Sequence, residues 1–252
     1  MEKQKMNRSV MPTLRDNFVL MGLYENVVMS FPQLANQFFN GKAKPTVLNR
    51  LSKLESSGLI CKFKVPRLLT SGSENVISVV YQITRRGIRE LQKRHLDLEL
   101  WPEPIRLQPF SIDHDLLLVD VLKALKTQHP GMSVVHGEHF SKKSTSPVLK
   151  PDAVLVMPGY PKPVALELEL TAKSEKRYRE LILKYRLAKD FEHVLYVTSH
   201  AQIEGKIKSV LGQTGFTGRF KFMHVQDILQ SNDGQLTNNL QAPGLERKDG
   251  CR

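Results

Sequence analysis

The chain has 252 residues and carries 37 Lys/Arg against 25 Asp/Glu, and this formal net charge of +12 favours a polyanionic partner. Its two cysteines, Cys61 and Cys251, are far apart and lack metal-ligand spacing, which excludes a disulfide or zinc framework and suits a reducing cytoplasm. The first residues are polar and basic, and no stretch approaches the roughly 18 apolar residues of a membrane helix, so we expect neither a signal peptide nor membrane insertion.

Composition divides the chain into two domains. We expect a first domain over 13–94, a proline-rich linker over 95–112, a second domain over 113–230 and a polar, disordered tail over 231–252. Residues 1–110 hold 17 Lys/Arg against 9 Asp/Glu, whereas the remainder holds 20 against 16. The amino-terminal half is therefore the expected nucleic-acid anchor.

Apolar periodicity predicts three helices in the first domain, the second of them N-capped by Ser30 and the third starting near Pro45. Two alternating strands follow, over Ile60–Val65 and Val76–Ile83, and then a short helix. This succession resembles a winged helix-turn-helix, which places its third helix in the major groove and its wing along the phosphates.

The resemblance makes five polar side chains candidate DNA contacts. On the third helix they are Asn49, Arg50 and Lys53, and on the wing they are Lys62 and Lys64. The alternatives are that these are ordinary solvated charges or that the module is a protein–protein adaptor.

The second domain begins with a helix from Asp113 that is apolar almost all round and is therefore expected to be buried. The pattern then predicts further elements in this order: a strand at Met132–His136, a polar loop at Ser141–Ser146 that could touch nucleic acid, two strands between Ala153 and Leu170, a helix N-capped by Ser174, a strand at His193–Thr198, a helix at Ile203–Leu211, a strand at Phe220–Val225 and a short helix to Gln230.

The two central strands carry three acids. Pro151-Asp152 opens the first strand, and Glu167 and Glu169 share one face of the second, whose other face is apolar. Adjacent like charges repel, and a divalent cation would reverse that sign because hard cations take carboxylate oxygens. The alternative is that the two glutamates form the solvated side of an exposed antiparallel strand.

At these residues the chain resembles known families. Pro151-Asp152 followed by Glu167-x-Glu169 looks like a variant of the PD-(D/E)xK nuclease signature, with Glu169 in place of the usual lysine and Lys173 four residues further on. The run from Val164 to Ser174, with Arg177-Tyr178 and Lys184-Tyr185, is similar to the plasmid replication-relaxation family, which includes the MobC-class mobilisation relaxases. The resemblance covers roughly residues 13 to 230.

This resemblance implies an α+β or α/β protein with an amino-terminal winged helix-turn-helix and a restriction-endonuclease-like αβββαβ domain. Asp152, Glu167 and Glu138 would hold Mg²⁺ or Mn²⁺. Glu169 would be a further ligand or a general base, and Lys173 would offset charge on the scissile phosphate. His114 would act near the acids, or else be a satisfied core or capping histidine.

The implied activity is a site- and strand-specific nick at a plasmid transfer origin, in double-stranded and locally single-stranded DNA, in the bacterial cytoplasm. Relaxosome accessory or coupling proteins would be its partners. Tyr178 or Tyr185 would be the nucleophile if a covalent intermediate forms, or else would pack in the core. The alternatives are a non-catalytic DNA-binding accessory protein or regulator, and a metal-dependent double-strand endonuclease of a restriction or transposition system.

Overall fold

The computed structural model describes residues 11–66, 77–96, 100–143 and 149–230. Within them the protein is a mixed α+β structure, which confirms the coarse fold class. The chain divides into two compact units, residues 1–120 and 121–252. The turn-rich stretch Thr70–Asn75 and the tail 231–252, which the sequence singled out, lie outside the described residues.

The first unit combines helices with a small antiparallel sheet. In chain order its elements are α1 (Leu14–Asn26), β1 (Met29–Ser30), α2 (Phe31–Phe38), α3 (Lys44–Ser56), β2 (Ile60–Pro66), β3 (Ile77–Ile83) and α4 (Arg85–Arg94). The strand order is β1-β3-β2, and Ile60 pairs with Ile83. One hydrophobic core, with Leu23, Leu51 and Leu54 among its buried members, holds the helices against the sheet.

Local capping fixes where the first two helices begin. Thr13 and Asp16 form a capping box at α1, and Ser30 and Gln33 form another at α2, as the sequence predicted for Ser30. The first helix ends at Asn26, because Val27 adopts a φ of 65° and the chain then enters β1.

The next helix, α5 (Ile112–Gln128), begins in the first unit and crosses into the second, since the units divide between Asp120 and Val121. Its start is held in the first unit because the Gln33 side chain donates to the Leu116 carbonyl at 2.7 Å and to Asp120 at 3.0 Å. The described part of the proline-rich segment before it also packs on the first unit, where the Trp101 amide donates to the Tyr24 hydroxyl at 2.7 Å.

The second unit is built on a five-stranded sheet of order β4-β5-β6-β7-β8. Its elements after α5 are β4 (Ser133–His136), α6 (Gly137–Lys143), β5 (Ala153–Val156), β6 (Val164–Glu169), α7 (Glu175–Leu187), β7 (Val194–Thr198), α8 (Ala201–Thr214), β8 (Phe220–His224) and α9 (Val225–Gln230). Strand β5 runs antiparallel to β4 on one side and to β6 on the other, and β7 and β8 continue the sheet parallel to β6.

The central strand, β6, is buried along its whole length. It lies between β5 and β7, and one of its faces is covered by a core to which Ala165, Tyr178 and Tyr185 belong. The interpretation of Glu167 and Glu169 as the solvated side of an exposed strand is therefore wrong, because that face lies beneath a helix.

One predicted loop is partly helical. Ser141–Lys143 belongs to α6, and the rest of the predicted loop, up to Ser146, lies outside the described residues. No helix in the described ranges is both long enough and apolar enough to cross a membrane.

Candidate active site

Strand register brings two of the predicted acids together. Ala153 pairs with Leu166 across β5 and β6, so extending this register by one residue sets Asp152 opposite Glu167. Directly opposed residues project to the same face of a sheet. The Asp152 carboxylate accepts a hydrogen bond from the Leu168 amide at 2.7 Å, which orients it along β6.

The turn before β5 is held by a close approach of two backbone segments. The Gly137 amide lies 3.4 Å from the Asp152 carbonyl oxygen at the start of α6. A Cβ atom at Gly137 would lie 1.5 Å from the Pro151 carbonyl oxygen, so only glycine fits there. This contact fixes the backbone that carries Asp152.

Helix α7 covers the acid-bearing face of β6. Ser174 caps it, as the sequence predicted, and its buried face presents Tyr178, Ile182 and Tyr185 to the sheet. The Tyr185 hydroxyl donates a hydrogen bond to the Glu167 carboxylate. The Tyr178 hydroxyl accepts one from the Lys173 amide at 3.0 Å, which ties the start of the helix to the end of β6.

Lys173 forms an ion pair with Glu169, which is only 2% exposed. The sequence interpretation gave Lys173 the role of offsetting charge on a phosphate. In this structure its ammonium group neutralises Glu169 instead, and a phosphate would have to compete with that carboxylate.

The Glu167 carboxyl is 6% exposed and lies beside other acids. Burial, followed by the neighbouring Asp152, raises its pKa to about 8, although the Tyr185 hydrogen bond and Lys173 act in the opposite direction. The raised pKa favours the protonated, neutral form of Glu167 at neutral pH.

The raised pKa of Glu167 predicts a pH dependence of stability. Because the folded protein holds this proton between the ordinary value of 4.5 and about 8, its stabilising contribution is complete below the lower value and is lost as pH rises to the upper one. We expect the free energy of unfolding to fall by at most ~1.4 kcal/mol per pH unit across this window. Urea denaturation at stepped pH measures it, and Glu167→Gln should flatten the slope; an unchanged slope in that variant would assign it to other groups.

Removing the Tyr185 hydroxyl should disturb this carboxyl directly. We expect Tyr185→Phe to destabilise the fold by about 1–3 kcal/mol, because a buried carboxyl loses its donor. The same change should raise the pKa of Glu167 further, since that hydrogen bond lowers it. Denaturation across the pH range checks both effects. Tyr178→Phe, which removes a hydroxyl that binds the Lys173 amide, is the matched control and should leave the titration of Glu167 in place.

The two candidate nucleophiles are both fully buried, at 0% exposure. Burial is the largest cause of the raised pKa of Tyr178 and of Tyr185, and nearby acids add to it, Glu169 for the first and Glu167 for the second. These hydroxyls are hydrogen-bonded and held neutral. The arrangement favours positioning of the acids and backbone over attack on DNA.

The other candidate catalytic residues lie in different surroundings. Glu138 follows β4 as expected, but its carboxylate lies 3.5 Å from Lys150 Nζ. His114 belongs to the first unit, where its Nδ1 lies 3.3 Å from Asp115. Among the described residues, no group of three or more His, Cys, Asp or Glu side chains is arranged to hold a metal ion. Asp152 and Glu167 thus remain as an adjacent pair, without Glu138.

Four of the five candidate DNA contacts are exposed: Asn49, Lys53, Lys62 and Lys64. Lys62 forms an ion pair with Glu55 at 3.1 Å.

Arg50 is different, because its guanidinium binds the buried carboxylate of Asp16 with two nitrogens. This contact lowers the pKa of Asp16 against the opposing effect of burial. Arg50 therefore joins α3 to α1, a role that the sequence interpretation did not foresee.

One residue near the acids was missed. Tyr196 on β7 pairs with Glu167 in register, is fully buried, and its hydroxyl has no hydrogen-bond partner within the described part of the chain. Burial and the nearby Glu167 raise its pKa. The available signal was a tyrosine hydroxyl in the middle of a predominantly apolar strand.

Comparisons of the chain with protein-family models, with curated proteins and with solved structures found no match.

Proposed function

We propose that the protein is a metal-dependent DNA endonuclease that nicks one strand, as a plasmid mobilisation relaxase does at a transfer origin. The observation that carries this proposal is the pairing of Asp152 with the buried Glu167 across β5 and β6. Burying the Glu167 carboxyl beside a second carboxyl opposes folding, so this placement calls for another explanation. The net charge of +12 supports a polyanionic substrate.

The donor set suits Mg²⁺ or Mn²⁺. A magnesium ion is commonly held by one or two carboxylates together with water and substrate phosphates, so a third protein ligand is not needed. Each acid already has an orienting partner, the Leu168 amide for Asp152 and the Tyr185 hydroxyl for Glu167. A bound divalent ion would supply stabilisation of the charge that develops on the scissile phosphate.

The chain's own residues prepare this site. Helix α7 excludes water from the inner carboxyls, and the Tyr185 hydroxyl orients Glu167 by donating to one of its carboxyl oxygens. Glu169 and Lys173 form an ion pair at the end of β6, and the positive charge of Lys173 offsets the repulsion that Glu169 exerts on Glu167. Cation binding requires Glu167 to release its proton, so affinity should rise with pH.

The first unit supports binding to duplex DNA. Its order of helices and strands resembles a winged helix-turn-helix, in which α3 would enter the major groove and β2 would contact phosphates. Asn49, Lys53 and Lys64 are exposed and are the proposed contacts. Arg50 is not among the proposed DNA contacts, because its guanidinium is paired with Asp16.

The test is a nicking assay on supercoiled plasmid carrying the protein's own transfer origin, with Mg²⁺, with Mn²⁺ and with EDTA. We expect open circles to form only with a divalent metal. Linear product would point to a double-strand endonuclease instead. Binding to the plasmid without any nicking, with all metals and with relaxosome partners added, would overturn the enzyme proposal.

A second candidate is a DNA-binding accessory protein whose second unit is inert. The observation that favours it is the pairing of Lys173 with Glu169, which occupies the charge a nuclease would use on phosphate. Calorimetric titration with Mn²⁺ discriminates between the candidates. Binding heat that Asp152→Asn removes supports the nuclease, and the absence of heat supports the accessory protein.

A further inference from the structure

Helix α7 carries cations on two opposite flanks. Its inward face is defined by Tyr178, Ile182 and Tyr185. At about 100° per residue, Arg177 and Lys184 fall on one side of that face, and Arg179 and Arg186 fall on the other. We call the first pair the open flank and the second pair the α8 flank.

The α8 flank takes part in packing. Arg179 donates to the Gln213 side chain at 2.8 Å, near the end of α8. The Arg186 guanidinium lies 5.7 Å from the centroid of the Phe216 ring, which follows that helix. These two cations therefore help to join α7 to α8.

The open flank has no such partners. Arg177 and Lys184 are exposed, and within the described ranges their side chains form neither an ion pair nor a hydrogen bond. Glu180, which lies three residues after Arg177 and four before Lys184, is exposed and is not paired with them. Nothing in the packing of α7 requires these two charges.

The open flank lies on the same side of the sheet centre as the accessible acid. Because α8 connects β7 to β8, it covers the β7 side of α7, and the open flank must face the β5 side. Asp152, which immediately precedes β5, is partly exposed, whereas Glu167 and Glu169 are buried. The partly exposed Asp152 and the open flank of α7 therefore lie on the same side of the sheet centre.

We propose that Arg177 and Lys184 form a phosphate-binding track that holds the DNA strand beside Asp152. They lie about 10 Å apart along the helix axis, which matches the rise of about three nucleotides of one strand. This inference rests on the proposed function in naming DNA as the ligand. Beyond that function, the inference identifies the surface of the second unit along which the DNA strand would lie.

The experiment compares two double variants of the full chain that remove the same charge from the same helix. One carries Arg177→Gln and Lys184→Gln, and its matched control carries Arg179→Gln and Arg186→Gln. Binding of a fluorescein-labelled oligonucleotide of mixed sequence, single-stranded and as a duplex, is followed by anisotropy over a salt series in EDTA. Thermal melting of each variant checks the fold.

We expect the open-flank variant to bind more weakly, with the slope of log affinity against log salt reduced by roughly one per cation removed. The control should keep a slope close to that of the wild type. Equal slopes in the two variants would overturn the proposal. The proposal would also be overturned if poly-glutamate displaced the labelled oligonucleotide as well as an unlabelled oligonucleotide of the same charge does. That result would assign the open flank to an acidic protein partner.

Because EDTA prevents metal-dependent cleavage, this measurement is independent of nicking. A protein that binds through the open flank but never nicks would refute the nuclease and retain the track. If the wild type nicks DNA and the open-flank variant binds DNA as tightly as the wild type, the nuclease is retained and the track is refuted.

Discussion

We expect the replacement of Asp152 by Asn, or of Glu167 by Gln, to abolish the proposed metal-dependent nicking and to leave DNA binding intact. The expected loss is at least about a thousandfold, because a metal contributes several kcal/mol of transition-state stabilisation and each ~1.4 kcal/mol is a factor of ten in rate. Both substitutions keep the size of the side chain at the β5–β6 junction. The rate of open-circle formation with enzyme in excess measures the loss.

Glu138→Gln is the matched control for these acids. Its carboxylate is paired with Lys150 at the surface, so we expect it to leave the nicking rate nearly unchanged. A loss comparable to that of Asp152→Asn would instead show that Glu138 becomes a metal ligand when DNA is bound. Full nicking by either Asp152→Asn or Glu167→Gln would rule out the proposed metal pair.

We expect the Arg50→Met variant to lose about 3 kcal/mol of unfolding free energy, because it leaves the buried carboxylate of Asp16 without its counter-ion. Asp16 is 0% exposed, and both of its oxygens are engaged by the Arg50 guanidinium. Hydrogen bonds from Thr13 remain, at 2.6 Å from its amide and 2.7 Å from its hydroxyl, and they soften the loss. Urea denaturation at neutral pH measures the change.

Lys53→Met removes one positive charge from the same helix at an exposed position. We expect its stability to change by less than about 0.5 kcal/mol. If Arg50→Met proves equally mild, the ion pair does not hold α1 against α3, and Arg50 returns to the set of DNA contacts. Affinity measurements on Arg50→Met are meaningful only at temperatures where the variant stays folded.

The succession of elements could be predicted because its signals are local. Ser30 and Ser174 each precede a helix with a side chain able to accept from the first turn, and both do so. Alternation predicted a strand that carries Glu167 and Glu169, and both residues lie in β6. Each inference needs only a few neighbouring residues.

Long-range pairing could not be predicted in the same way. Arg50 and Asp16 are 34 positions apart, and an arginine on the polar side of a helix has the same pattern whether it meets DNA or a buried acid. The burial of the two glutamates depends on the helix that packs over them, which alternation along β6 does not encode. Tyr196 reaches the site only through a parallel pairing with β6.

The role of the Tyr185 hydroxyl could not be predicted from the sequence either. Its helical position predicted burial, which the structure confirms at 0% exposure. That its hydroxyl would meet Glu167 depends on which way α7 crosses the sheet. A tyrosine at this spacing fits an apolar core equally well, so the sequence left its role open.

The alignment of β5 with β6 also acts as a check on correct folding. Successive side chains alternate between faces, so a slip of one residue would turn Asp152 away from Glu167 and leave the backbone ladder nearly as complete. The pair of carboxyls exists in only one of these alignments. A misaligned chain would therefore lack the proposed metal pair altogether.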